Sequence, residues 1–265
     1  VNDELKSYIH IKNRWLKVSE VWFCNTATLP GTDLLVAQQW PDKFYLNNVV
    51  EKNTLIIDLT QPLTNIFDAF KKDTRNLVRR CDTRDGMYFK IVKRPSLQDI
   101  KFFADFYDQF ANLKNQESLS IPYLEAVADA GMLVLSWAFL GNEPLVGHGY
   151  ISTPSRVRLL QSASLFRTSS DSAYRNLVGR ANRWLHWKDI EEFAQNGYKI
   201  YDLGGWYAAQ EDKEKLKINS FKEEFGGVNK VEYNGMMPLT RLGKFYQLVQ
   251  SCKRPIIRLI KKRIY

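Results

Sequence analysis

The chain has 265 residues, 45% hydrophobic, 25% charged and 13% aromatic, a composition that excludes disordered, collagen-like and low-complexity classes. Its 38 Lys and Arg against 29 Asp and Glu give a formal charge of +9, but eight of the cations, and no acid, fall between Arg241 and Tyr265. Removing that segment leaves 30 positive against 29 negative residues, so the body is nearly neutral and a basic surface for nucleic acid is not expected over it. No stretch approaches the roughly 20 apolar residues of a membrane-spanning helix, and the polar start has no signal-peptide core, which predicts a cytoplasmic protein. Cys24, Cys81 and Cys252 stand far apart without CxxC or Cys/His spacing, so reduced thiols are expected rather than disulfides or a metal site.

In chain order, residues 54–60, TLIIDLT, read as a buried strand. A helix capped by Thr64 follows. Ile66, Phe67, Phe70, Leu77, Val78 and Cys81 recur at helical spacing, with Lys71, Lys72, Arg75, Arg79 and Arg80 on other faces. Asp85-Gly86 turns the chain into the strand MYFKIV. Pro95-Ser96 precedes an amphipathic helix with Leu97, Ile100, Phe103, Phe106, Tyr107, Phe110 and Leu113 on one stripe. A shorter helix runs from Pro122 to Ala130 and stops at Gly131. MLVLSWAFL and LVGHGYIST flank a Gly141-Asn142-Glu143-Pro144 turn as a hairpin, and VRLLQSASLF supplies another strand. From Gly179 to Asn196 the pattern is helical, with Ala181, Trp184, Leu185, Ile190 and Phe193 inward and Gly197 as its stop. YKIYDLGG is a strand running into a glycine pair, INSFKEEF a short helix, and NKVEYNG a closing strand.

This order predicts an α+β fold with a mixed, mostly antiparallel sheet flanked by helices. Residues 1–95 are expected to extend or partly repeat that sheet, 96–240 to form the main domain, and 241–265 a basic helical segment.

The element order resembles the GNAT acyltransferase fold. The stretch GRANRWLHWKDIEEFAQNGYKIYDLGGW from Gly179 to Trp206, with INSFKEEFGG, is similar to the C-terminal half of the Fem-like branch of that superfamily. FKKDTRNLVRRCDTRDGMYFKI resembles the same branch's basic helix leading to a glycine and a strand. The branch contains aminoacyltransferases that build peptidoglycan cross-bridges and acyltransferases of surface-polysaccharide pathways. This chain is shorter than the former and lacks their charged coiled-coil insertion, so the resemblance shifts toward acyl-CoA-dependent sugar N-acyltransferases.

What the resemblance implies can be placed on residues. The superfamily holds the cofactor's pyrophosphate on amides at a helix start through Gln/Arg-x-x-Gly-x-Gly/Ala; here Asn176-Leu-Val-Gly179-Arg-Ala181 fits from the glycine onward, followed by Asn182. Arg175 and Arg180 would supply the charge missing at Asn176, or Gly179 relieves crowding at a helix start. His148, between Gly147 and Gly149, is a candidate base or an ordinary strand histidine. Asp202, before Leu203-Gly204-Gly205, is a second candidate base or caps the loop's amides. Tyr207 would protonate the departing thiolate, as tyrosines do in related enzymes, or is a plain loop tyrosine. Trp206 stacks on a sugar or base, or belongs to the core. Lys222, beside Glu223, matches a Lys of the Fem-like pattern and would bind a diphosphate, or lies on a solvated face. Arg75 and Arg79 pose the same choice, and His186, between two tryptophans, reads as packing.

No Ser-His-Asp spacing, Walker loop or metal cluster is evident. The leading expectation is an N-acyltransferase that uses acyl-CoA and no metal to acylate a nucleotide-linked amino sugar. An aminoacyl-tRNA-dependent peptidoglycan enzyme is the alternative. A non-catalytic module docking on an anionic membrane or nucleic acid through 241–265 is the third, against which the tail reads as a helix covering the sheet.

Overall fold

The computed structural model describes residues 8–11, 15–24, 29–167 and 170–252, with no account of the side chains of 167 and 250–252. The strands are β1 (Tyr8–Ile11), β2 (Val18–Trp22), β3 (Leu34–Trp40), β4 (Asn47–Asp58), β5 (Met87–Val92), β6 (Leu133–Leu140), β7 (Glu143–Ser152), β8 (Arg156–Ser164), β9 (Ile200–Gly205) and β10 (Val228–Pro238). The helices are α1 (Leu63–Asp68), α2 (Lys72–Arg80), α3 (Leu97–Asn112), α4 (Ile121–Asp129), α5 (Ser172–Gln195), α6 (Lys213–Lys222) and α7 (Arg241–Cys252). All ten strands join one sheet in the order β1-β2-β3-β10-β4-β9-β8-β7-β6-β5. Two pairs are parallel, β2/β3 and β8/β9; the rest are antiparallel. The mixed, mostly antiparallel α+β sheet flanked by helices is therefore present, and β4, from the first 95 residues, lies between β9 and β10.

Alternation along the strands builds a core on each face. Val134, Ala138, Val146 and Tyr150 point toward α5, where Val178, Ala181, Trp184, Leu185, Ile190 and Phe193 meet them. Leu133, Leu135, Trp137 and Ile151 point the other way, onto Ile100, Phe103, Phe106 and Tyr107 of α3. A capping box fixes the start of α3: the Ser96 Oγ accepts from the Asp99 amide at 3.2 Å and the Asp99 carboxylate accepts from the Ser96 amide at 2.9 Å.

Four local expectations are corrected. The helix foreseen from Thr64 to Cys81 is two helices, because the chain breaks at Ala69–Lys71 and Arg75 donates to the carbonyls of Asp68 and Phe70 across the break. The helix read from Gly179 begins at Ser172, since Asp171 caps it by accepting from the amides of Ala173 and Tyr174 at 2.9 and 3.3 Å. The final short helix, α6, starts five residues before Ile218, with Asp212 as its cap. The basic segment forms α7 but leaves Leu242, Phe245, Leu248 and Val249 exposed rather than laid on the sheet, and 253–265 fall outside the described residues.

Candidate active site

The feature that organises the site is where two parallel strands part. β8 and β9 pair only at Arg156↔Ile200, Val157↔Tyr201 and Arg158↔Asp202. Beyond Arg158, β8 runs on to Ser164 held by β7 alone, while β9 runs on to Gly205 held by β4. Among the described residues, one backbone edge of β8 thus has no strand partner past the divergence. Gly204 sits at its apex with φ +77°, and a Cβ there would lie 3.0 Å from the Leu159 carbonyl oxygen. Backbone geometry and close approach both require glycine at that point.

Asp202 shapes the apex from below. Its carboxylate takes Arg156 Nη2 at 2.6 Å, Gln39 Nε2 at 3.0 Å, the Gly204 amide at 2.7 Å and the Thr54 hydroxyl. Burial would raise its pKa, but the Arg156 and Arg158 guanidiniums and the Thr54 bond outweigh it and hold the carboxyl below its usual range. Arg156 closes the cluster on Glu232 at 2.6 and 2.8 Å. Asp202 has no exposed surface, so it caps the loop and anchors a buried ion cluster; it is not positioned to meet a substrate.

The mouth of the opening carries two cations of another kind. Lys222 Nζ donates to the Gly205 carbonyl at 2.6 Å, and its pKa is lowered to about 8 by burial first and the Arg158 charge second. Arg158 donates to the Leu159 carbonyl at 3.2 Å and lies 5.4 Å from the Trp22 ring centroid. Trp22 is held in place by its indole N–H, which donates to Glu20 at 2.6 Å. Among the described residues neither Lys222 nor Arg158 forms an ion pair with a carboxylate, and the Arg158 Nε is buried without a partner. Neither cation is directly ion-paired: the Asp202 carboxylate acts on both at longer range and Glu20 on Arg158, while their hydrogen bonds go to neutral carbonyls.

The loop after β9 forms the wall. The Trp206 amide donates to the Asn53 carbonyl at 2.7 Å, and Asn219 of α6 grips Tyr207 twice, accepting from its amide at 3.0 Å and donating to its carbonyl at 2.7 Å. The Tyr207 hydroxyl donates to Glu211 at 3.1 Å. Gly205, Trp206, Tyr207, Lys215, Ile218 and Asn219 line a concavity of about 220 Å³.

The structure thus gathers Gly204, Gly205, Trp206, Tyr207 and Lys222. Others lie elsewhere. His148 is wholly buried under α5, its Nδ1 2.9 Å from Asp189 and 3.0 Å from the Tyr150 hydroxyl, its Nε2 3.0 Å from Asn182. The space beside its flanking glycines is filled: a Cβ on Gly147 would meet Trp137 at 2.7 Å, and one on Gly149 would meet Phe103 at 3.1 Å. Those glycines admit core rings, not a substrate. Gly179, Arg180, Ala181 and Asn182 lie in the interior of α5, where their amides are inside the helix rather than free at its start. Arg180 is spent on Asp85 at 2.8 and 3.2 Å, Ala181 is buried, and Arg175 is exposed. Arg79 lies over the Phe67 ring and Arg75 staples α1 to α2. His186 packs in the core, as its neighbours suggest, with its ring 4.4 Å from that of His148.

Sequence reasoning missed Arg156, Arg158, Gln39 and Asn219. The two arginines had a readable signal, since residues two apart on a strand share a face. Gln39 had none, because its partner lies 163 residues away.

Neither a family profile nor any curated protein matches the chain. Solved structures do. FemX superposes with a TM-score of 0.57 at 16% identity over 75% of this chain, which spans 64% of FemX's length. The C-terminal domain of a putative lysylphosphatidylglycerol synthetase from Agrobacterium fabrum gives 0.55 at 11% identity, over 91% of this chain and 84% of that one. The likeness to FemX and to the synthetase domain is one of fold alone.

Proposed function

We propose that the protein is an N-acyltransferase whose acyl donor, acyl-CoA, enters where β8 and β9 part, and whose acceptor is the amine of a nucleotide-linked amino sugar. The observation that carries the reading is the three-position parallel pairing with an open β8 edge beyond it. Such an edge suits the amide-bearing arm of an acyl thioester, which would add to it as a short strand. Lys222 and Arg158 would take the acceptor's diphosphate, and Trp206 would cover a sugar or base. In the transfer, the neutral amine attacks the thioester carbon, the C–N bond forms, the C–S bond breaks and the amine proton passes to water. Tyr207 turns its hydroxyl from Glu211, gives the thiolate its proton and takes one back from the water that received the amine's. Neither His148 nor Asp202 is needed as base, and alignment of the two substrates supplies much of the acceleration.

The likeness to FemX and to the synthetase domain supports a second donor for the same opening, an aminoacyl-tRNA ester. Incubation with acyl-CoA and a panel of amino-sugar nucleotides, following free thiol, separates the two. Thiol release with an amine acceptor, reduced roughly 10²-fold or more in Arg158→Met, is expected. No thiol release with any pair, and transfer only from charged tRNA, abolished by ribonuclease, would replace the donor.

A further inference from the structure

We propose that α7 is a docking element that seats the protein on an anionic lipid surface. Its start is pinned to the turn before β3: the Thr240 hydroxyl donates to Asp33 at 2.7 Å, the Leu239 amide donates to the Asp33 carbonyl at 2.8 Å, and a Cβ on Gly243 would overlap that carbonyl. Further along, Asn47 donates to Gln247 at 3.4 Å. Gly243, Tyr246 and Gln247 therefore face the body, which rotates the opposite face outward. That face carries Leu242, Phe245, Leu248 and Val249, with Phe245 and Leu248 65% and 66% exposed. Phe44 and Tyr45, exposed in the segment leading to Asn47, add apolar surface on the neighbouring strand entry.

Charge decides the occupant. Arg241 and Lys244 are exposed on the same helix, six more cations follow in 253–265, and 241–265 contain no acid. Nucleic-acid phosphates would match the cations and leave the aliphatic stripe without a role. A second copy would match the stripe but set cationic segment against cationic segment across a two-fold axis. An anionic bilayer satisfies both, with Phe and Leu entering the headgroup boundary and Lys and Arg meeting the lipid phosphates.

Co-sedimentation of the full chain with vesicles of phosphatidylcholine alone, and of phosphatidylcholine with phosphatidylglycerol, tests this. Binding to the mixed vesicles, at least roughly tenfold weaker on the neutral ones, is expected. Phe245→Asp with Leu248→Asp should weaken it at least roughly tenfold at an unchanged Tm, and Arg241→Ser or Lys244→Ser about fivefold each. Should the double variant fail to fold, Phe245→Ser should still reduce binding. No binding to the mixed vesicles, binding indifferent to these changes, a dimer dissolved by them, or a fall in Tm without any vesicle binding would each overturn the proposal. Acyl transfer to a soluble acceptor should be unaffected by them, so this test and that of the catalytic reading fail separately.

Discussion

Two polar clusters sit on the same sheet and teach opposite lessons. Under α5, His148, Asp189, Tyr150, Tyr201, His186 and Asn182 form a closed set, each bonded to protein and most without exposed surface. At the β8/β9 mouth, Lys222 and Arg158 are cations whose hydrogen bonds go to neutral carbonyls. The first cluster is bonded within itself apart from the buried Asp189 Oδ1, and it specifies packing. The second leaves both cations without a direct carboxylate partner among the described residues, which is what the proposed function uses. Histidine, tyrosine and aspartate look like catalytic chemistry in a sequence, yet here His148, Tyr150 and Asp189 are buried and bonded to one another, while the proposed site rests on a lysine and an arginine beside a glycine where two strands part.

The largest effect that would sharpen this contrast is on stability. Asp189→Ala removes the carboxylate shared by His148 Nδ1 and the Tyr150 hydroxyl, leaving these two to each other and to Tyr201, and should cost about 3 kcal/mol in denaturant unfolding. A loss near zero would mean that the closed cluster is not closed. Lys222→Met should do the reverse, lowering kcat/KM roughly 10²-fold while moving stability by no more than about 1 kcal/mol. Equal damage to both properties would merge the two clusters into one structural class.

A pH profile separates them further. The Lys222 ammonium has a folded pKa of about 8, below its ordinary 10.5, so the unfolded chain binds the extra proton between those values. Stability contributed at this site is therefore at its lowest below about pH 8 and rises as pH climbs from about 8 toward 10.5. Lys222→Met should lack that rise, measured as the difference in unfolding free energy between the two proteins. The smallest expected effect is a negative one. Burial, with the Asp85 carboxylate beside it, pushes the Cys81 thiol up to about 12. Alkylation of the folded protein at pH 8 should leave Cys81 unmodified, and rapid labelling there would show that the α2 end opens.

What could be read in advance was what local chemistry decides. The helix after Pro95-Ser96, the MYFKIV strand and the hairpin on Gly141 depend on neighbours a few residues away, and they stand where their signals place them. The Gly204-Gly205 pair reads in the sequence as a strand end opening into a loop, and β9 does end there, whereas Lys222 is singled out by its likeness to the Fem-like pattern. The start of α5 misled because Gly179 imitates a boundary, whereas a helix with Asp171 as cap carries a glycine in its third turn without breaking. The room beside His148 misled for a different reason. Two glycines leave space, but only the tertiary fold shows that Trp137 and Phe103 fill it. Of the early strands, β1 and β2 pair with their sequence neighbours, while β3 is locked in by β10 from the far end of the chain, a partner no local pattern announces.

The most direct test of the central claim, that acyl transfer takes place where β8 and β9 part, is a crystal structure with a non-hydrolysable acyl-CoA analogue. The account predicts the donor's arm along the open edge of β8 beyond Arg158, its carbonyl beside Gly204 and Tyr207. An analogue bound along the middle of α5 at Gly179 to Asn182, with the opening empty, would contradict it.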